Sequence, residues 1–492
     1  MKRIIILLSL LGLCFTSCEK FLDENPQSEI TKEQTQTSEQ VSAYTTVAEA
    51  ESELNGVYAL FKTDIYEGCC FYIGDCMSDN CYIGGDGVAE EQFDNIAVTA
   101  TNSQVSMMWS QYYSIVGSAT NVIENVKLMD KSLIDDDTRA RIIADAKFAR
   151  AWVLFDIVRY WGAAPMTLQL IPSITVDNID TWYPVMYPSR TSEEDIYAQI
   201  IDDLGEETIK NLPSQSYGAF NGTQGAAYGL LAKVYATMGK KSERNYSKVV
   251  EMCDAVINQG YKLVPNFEAL WTLEGKFSSE SIFEMYFSDV AEQHNWAYWV
   301  LLTDVSGDVV VSWRRYCTPT QDLVAKFDKD HDTRYKSSIY WGSVPYDTYW
   351  PANNYPLAYK IRQKESDIIL LRLADILLLK AEALVELGNA SEAIGLVNQV
   401  RQRAGIGTLS TGLSVDDARL AVENERQLEL MLEGHRWFDL VRNGRMEEVM
   451  KLSHDKNGNL RFTEDIPAWR EKLPVPQDQI DINERLTQNE GY

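Results

Sequence analysis

Apolar residues recur at intervals of three and four along much of the chain, the spacing that puts them on one face of a helix. Phe148, Trp152, Phe155 and Arg159 fall on one line, with the small Ala149 and Ala151 between them. The same spacing predicts helices over Ser106–Met129 and Thr138–Trp161, Gln224–Met238 and Tyr246–Gln259. Asp367 to Leu387 repeats it through Leu370, Leu373, Leu377, Ala381 and Leu384, and stops at Gly388-Asn389, a C-terminal cap signal. Ala390–Ala404 follows at once, so these two helices pack as a tight pair. Small residues within the pairs (Ala226-Ala227-Tyr228-Gly229, Ala381-Glu382-Ala383) suggest degenerate tetratricopeptide-like stacking, without a fixed period.

Two stretches break the helical pattern. From Tyr261 to Ser366, Pro, Gly and Asn recur, and 14 of the chain's Trp and Tyr residues (12 Trp and 26 Tyr in all) fall between Tyr286 and Tyr359. The stretch from Asp64 to about residue 95 carries Phe71, Tyr72, Asp75, Asp79, Asn80 and Tyr82 among several glycines. Both read as long loops on a helical frame, where binding residues concentrate.

Met1–Cys18 reads as an export signal: Lys2 and Arg3 precede an apolar run from Ile4 to Leu13, half the length needed to span a membrane. Phe15-Thr16-Ser17-Cys18 is similar to a lipoprotein cleavage site, which makes 1–17 the signal and Cys18 the lipidated first residue of a mature 18–492 domain. An exported chain can form disulfides. Of the six remaining cysteines, four lie together (Cys69, Cys70, Cys76, Cys81); Cys76 with Cys81 would close a short loop, and free buried thiols fit equally well.

The net charge of −27 on 492 residues disfavours nucleic acids and anionic membranes, which need clustered Lys and Arg, and favours neutral ligands. Four His leave little for metal or His-based catalysis. Asp328-x-Asp330-x-Asp332 is half of a calcium loop, but Thr333 and Ile339 stand where Gly and Glu are required, so it reads as a turn before Arg334. No metal or cofactor is expected. Glu429, Glu433, Arg436 and Asp439 are spaced as a cluster on the last helices; a buried ion-pair network is the simpler reading than catalysis. No Gly-x-Ser-x-Gly or His-Glu-x-x-His occurs, and Asp75 with Asp79 is the only loop pair that a glycosidase reading could use.

Several separated motifs resemble the SusD/RagB family of Bacteroidetes outer-membrane lipoproteins. They are Ser17-Cys18-Glu19-Lys20-Phe21-Leu22-Asp23, Phe148-Ala149-Arg150-Ala151-Trp152, Tyr160-Trp161-Gly162, and Leu371-Arg372-Leu373-Ala374-Asp375. Further on come Glu425-Arg426-Gln427-Leu428-Glu429, Glu433-Gly434-His435-Arg436-Trp437-Phe438-Asp439, and Leu473-Pro474-Val475-Pro476. The resemblance implies a mainly α, SusD-like fold with four tetratricopeptide-like helix pairs beneath a loop-rich, aromatic-rich face. It implies a lipid-anchored protein at the cell surface that binds oligosaccharides without hydrolysing them and delivers them to a SusC-like TonB-dependent barrel. Some relatives serve peptide uptake, which is the alternative ligand class.

Aromatic rings offer a platform to the C–H face of a sugar, and Asp, Asn and Arg bond its hydroxyl rim. The expected ligand residues are Trp296, Tyr298, Trp299, Trp313 and Tyr316 with Asn295 and Arg314, joined by Tyr72, Asp75, Asp79, Asn80 and Tyr82. Core packing is the competing role for each. Tyr340-Trp341 and Tyr346-x-x-Tyr349-Trp350 fit either a sugar or the barrel, since Tyr and Trp are enriched at protein interfaces as well.

Overall fold

Helix α1 (Val47–Ala59) begins where Thr46 and Glu49 form a reciprocal capping box. The computed structural model describes residues 42–85, 87–215, 220–288, 290, 295, 316–344, 347–455 and 457–492. The segment from Tyr44 onward is one compact unit.

Three of the expected helix pairs form, two of them within a few residues of the expected bounds. In the first, α3 (Ser103–Leu128) packs on α4 (Asp136–Trp161), each started by an Asx cap, Asn102 and Asp135; Gly162, at φ +71°, ends the second. A short α2 (Val88–Asp94) precedes them. After α4 come α5 (Ile179–Met186), α6 (Glu193–Asp203) and α7 (Glu206–Asn211). The second pair is α8 (Gln224–Thr237) with α9 (Tyr246–Ile257).

Three two-stranded antiparallel sheets interrupt the helices. β1 (Cys81–Tyr82) pairs with β3 (Thr318–Pro319), β2 (Ser281–Met285) with β6 (Ile368–Arg372), and β4 (Ile339–Gly342) with β5 (Tyr355–Ala358). Between β3 and β4 lie α10 (Gln321–Ala325) and α11 (Thr333–Ser338). The third pair is α12 (Leu373–Glu386) with α13 (Ala390–Ala404), joined through Gly388 at φ +85°. Then follow α14 (Val415–Leu430), α15 (Arg436–Arg442), α16 (Met446–Met450) and α17 (Gln477–Ile482).

The helix expected from Asp367 therefore starts at Leu373. Residues 368–372 are a strand instead, because the short apolar run Ile368–Leu371, with Arg372 after it, satisfies its backbone against β2, from Met285 to Ser281.

The line Phe148, Trp152, Phe155 faces the core. Phe148 and Trp152 meet Phe283 of β2 at ring distances of 5.1 and 4.6 Å. Arg159, one turn further on, lies between the rings of Phe155 and Phe438, 4.3 and 4.1 Å from their centres, and so carries its charge on aromatic faces. Each fully buried Phe of this kind contributes about 1.5–3 kcal/mol relative to exposure.

The C-terminal charges form a buried network. Arg334, 0% exposed, bonds Asp332 at 2.8 Å, Glu425 at 2.6 Å and Glu429 at 3.1 Å. Arg372 bonds Glu280 (2.9 Å), Glu429 (2.5 Å) and Glu433 (2.6 Å); Arg403 joins Glu280 and Glu429 from α13. Arg426 ties Asp375 to Asp439, both at 2.9 Å. Burial pushes the Glu429 carboxyl up, but the guanidinium groups of Arg403, Arg372 and Arg334 outweigh it and hold Glu429 well below the usual carboxylate range. Asp332 of the half calcium loop is spent on Arg334 and on capping α11, while Asp328 accepts from the His331 backbone. Among the described residues no cluster of ligands could hold a metal ion.

Candidate functional site

The stretch 64–95 is not an exposed loop. Two π-helical turns, Ile65–Cys69 and Tyr72–Cys76, bring it into the core, and nearly every residue from Ile65 to Tyr82 is buried. Asp75, 0% exposed, accepts hydrogen bonds from the backbone of Leu432 (3.0 Å) and Gly434 (2.8 Å) and from Asn80 Nδ2 (2.9 Å). Burial pushes its carboxyl up to about 7 despite these bonds. The approach depends on glycine: a Cβ at Gly74 would stand 2.2 Å from the Gly434 carbonyl, and Gly434 itself is at φ +76°.

Asp79 is 5% exposed and receives Arg436 Nε at 2.7 Å and Gln427 Nε2 at 2.8 Å. Burial raises its carboxyl, but Arg436 more than reverses this and keeps it well below the carboxylate range. Asn80 Oδ1 accepts from the same Gln427 amide at 2.9 Å. Tyr72 packs edge-on to Tyr316 at 5.8 Å, both rings buried. Asn295 is fully buried and bonds the carbonyls of Lys364 and Ser366, each at 2.7 Å.

These placements correct the expected ligand surface. Tyr72, Asp75, Asp79, Asn80, Asn295 and Tyr316 are all buried: Asp75, Asp79 and Asn80 partner the C-terminal motif, Asn295 holds the backbone at Lys364 and Ser366, and Tyr72 packs on Tyr316. The carboxylate pair required by a glycosidase reading is committed to the same internal bonds. Trp296, Tyr298, Trp299, Trp313, Arg314 and Cys18 lie outside the described residues.

Tyr82 leads elsewhere. Its ring stacks on Tyr349 at 3.9 Å and 21°, and its hydroxyl shares a hydrogen bond with Tyr355 Oη at 2.7 Å and donates to Asp347 Oδ1 at 3.2 Å. Tyr82 is thus the buried foot of an aromatic cluster on the β4–β5 hairpin. Trp350 donates its indole N–H to the Pro319 carbonyl at 3.0 Å, and Trp341 meets Trp350 edge to face at 5.4 Å. On the other side of the ribbon Tyr340 lies 5.5 Å from Tyr359, whose far face carries the Arg362 guanidinium at 4.1 Å.

Tyr335, Tyr340, Trp341, Tyr349, Trp350 and Tyr359 are all half-buried, so each ring is fixed by packing and keeps part of its surface in solvent. Exposed Gln321, Ser343, Asn353 and Asn354 lie along the same segments, with the charged Asp347 and Arg362 beside Tyr349 and Tyr359. Rigid aromatic planes beside amide and hydroxyl groups suit a neutral polyhydroxylated ligand, since stacking needs little ordering on binding. Tyr335 and Tyr359 were not singled out from the sequence. The usable signal was the alternation of Ile339-Tyr340-Trp341 and of Tyr355-Pro356-Leu357 about a Pro-Asn turn, which is a hairpin pattern.

A separate groove of about 460 Å³ runs along α3, floored by Trp109 and Tyr113 and walled by Ile171, Met186 and Leu486. Beside it α5 buries none of its residues, and Ile171, Ile174, Val176 (93% exposed), Ile179, Tyr183 and Met186 stand in solvent. No helix among the described residues is long and apolar enough to cross a membrane.

A family model described as the SusD family matches residues 215–492, and one described as starch-binding, associating with outer membrane, matches residues 20–236. SusD-like protein P2 of Formosa agariphila is 27% identical over the whole of both chains. Among solved structures, a SusD superfamily protein from Bacteroides vulgatus superposes with a TM-score of 0.75 at 22% identity, over 91% of this chain and 99% of that one. A laminarin-binding SusD-like protein gives 0.74 at 23% identity, over 91% and 100%.

Proposed function

The chain belongs to the SusD family, and from that premise we propose that it captures neutral oligosaccharides at the outer face of the outer membrane and passes them to a SusC-like TonB-dependent barrel. The observation that carries the ligand class is the cluster of half-buried rings on the β4–β5 hairpin beside exposed amide and hydroxyl groups. The laminarin-binding relative of the same fold supports a glycan, and the net charge of −27 disfavours acidic ones. The surface is a binding surface: stacking and hydroxyl hydrogen bonds supply the affinity.

Two further features support the assembly. The apolar segment around α5 is suited to an extended protein partner, and its acidic neighbours Asp177 and Asp180 favour a partner with basic residues over an anionic membrane. Cys18 supplies the anchor, in keeping with the outer-membrane description of the matching model.

The test is calorimetry of the full-length protein in detergent against laminarin, starch and other neutral polysaccharides, with mixed peptides alongside. Saturable heat with one glycan is the expected result, weakened about tenfold by Trp341→Ala, roughly the 1.4 kcal/mol of one good contact. Variants Trp296→Ala and Trp313→Ala read the aromatic stretch expected from the sequence. Heat from peptides alone would overturn the glycan reading in favour of peptide capture.

A further inference from the structure

Cys76, Cys81 and Cys317 come from three separate segments and meet in the core. Cys76 ends the second π-helical turn, Cys81 opens β1, and Cys317 immediately precedes β3. All three are at most 1% exposed, and all are free thiols in this structure. The Cys76 Sγ donates to the Tyr316 carbonyl at 3.0 Å, and so lies against the peptide bond that enters Cys317. Cys317 is the residue that follows that carbonyl. The other two thiols nearby are engaged elsewhere: Cys69 with Gln104 Oε1 at 3.6 Å and Cys70 with the Tyr66 carbonyl at 3.1 Å.

The strand register separates the two candidate partners of Cys317. Cys81 stands opposite Pro319 and Tyr82 opposite Thr318, so Cys81 and Cys317 are diagonal neighbours on one face of the ribbon. Diagonal positions are about 7–8 Å apart, beyond the Cα separation of about 4.4–6.8 Å that a disulfide spans without backbone movement. Cys76 is outside the ladder and free of that constraint.

We propose that Cys76 and Cys317 are the site of a disulfide formed as the chain folds in an oxidising compartment, with Cys81 left as a thiol against the bond. The oxidant is an external disulfide, that of an oxidoreductase in the cell or of glutathione in the test. The Cys317 thiolate attacks one of its sulfurs, forming a mixed disulfide and expelling one thiolate. The Cys76 thiolate then attacks Cys317 Sγ, forming the Cys76–Cys317 bond and expelling the second. Two cysteine protons and two electrons leave, and the oxidant is reduced to two thiols. The exchange takes place while the chain is still open, before folding buries both thiols. The inference goes beyond the capture reading and holds for either ligand class.

The test refolds the full-length reduced protein in reduced and oxidised glutathione, blocks free thiols, and digests without reduction. Trypsin releases Cys317 in the peptide 316–326, and cyanogen bromide cleavage after Met77 separates Cys76 from Cys81. In more than half of the molecules the peptide 316–326 is expected to be linked to the fragment ending at Met77, with Cys81 blocked. That link should persist in Cys81→Ser and vanish in Cys76→Ser. A blocked, unlinked Cys317 would overturn the proposal. So would a link to the fragment beginning at Ser78, or a link to the Met77 fragment that survives Cys76→Ser.

Discussion

Arg436 Nε donates to Asp79 Oδ1 at 2.7 Å, joining the C-terminal motif to a turn more than 350 residues earlier. Gln427, Leu432 and Gly434 make parallel bonds to Asn80 and Asp75. The polar residues at 75–80 are thus a weld between the two ends of the fold, and the aromatic hairpin stands on that weld through Tyr82.

Removing one partner of this pair leaves the other buried and charged. Arg436→Ala is expected to cost about 3–5 kcal/mol of unfolding free energy, the range for breaking a buried ion pair. Denaturant unfolding measures it. A loss below about 1 kcal/mol would mean that water reaches Asp79.

Asp75 titrates in the opposite sense from its neighbours. Its folded carboxyl, near 7, lies above its unfolded value near 3.8, so the folded state holds the extra proton between them. Its contribution is fully present below about pH 4 and is lost as pH rises to about 7, at up to about 1.4 kcal/mol per pH unit. Asp79 and Glu429, held low by arginines, contribute above their unfolded values and lose that contribution only as pH falls below about 4. Unfolding free energies of wild type and Asp75→Asn from pH 4 to 8 should differ by a slope confined to that window. Parallel curves would contradict the assignment.

Gly74→Ala places a methyl group against the Gly434 carbonyl, where neither backbone has room to retreat. The expected loss is about 3 kcal/mol, at the upper end of overpacking costs, read as a lowered denaturant midpoint. Gly395→Ala, inside α13 with open space at its Cβ, is the control and is expected to gain about 0.5–1 kcal/mol.

The helix pairs were legible because a 3.6-residue period is a local property, written in Phe148, Trp152 and Phe155 whatever they pack on. Residues 368–372 were not, since the four-residue apolar run Ile368–Leu371 fits helix or strand and only β2, over 80 residues away, decides between them. Asp75, Asp79 and Asn80 read as an exposed loop because Gly, Asp and Asn favour turns. Their burial depends on Arg436 and Gly434, which no nearby spacing reveals. One hint was available: Arg436 needs a carboxylate, and Asp439, on its own helix, is already shared by Arg426 and Arg442. The aromatic richness of the stretch was legible as composition, whereas which rings keep an open face depended on how the hairpin folds.

The central claim is that the rings of the β4–β5 hairpin hold the ligand. Native electrophoresis through gels containing the glycan identified by calorimetry tests it directly, comparing wild type with Tyr340→Ala and Trp341→Ala and verifying an unchanged fold by circular dichroism. Wild type should be strongly retarded and the folded variants should run about tenfold less retarded in apparent affinity. Retardation equal to wild type in both folded variants would contradict the claim and place the ligand elsewhere on the molecule.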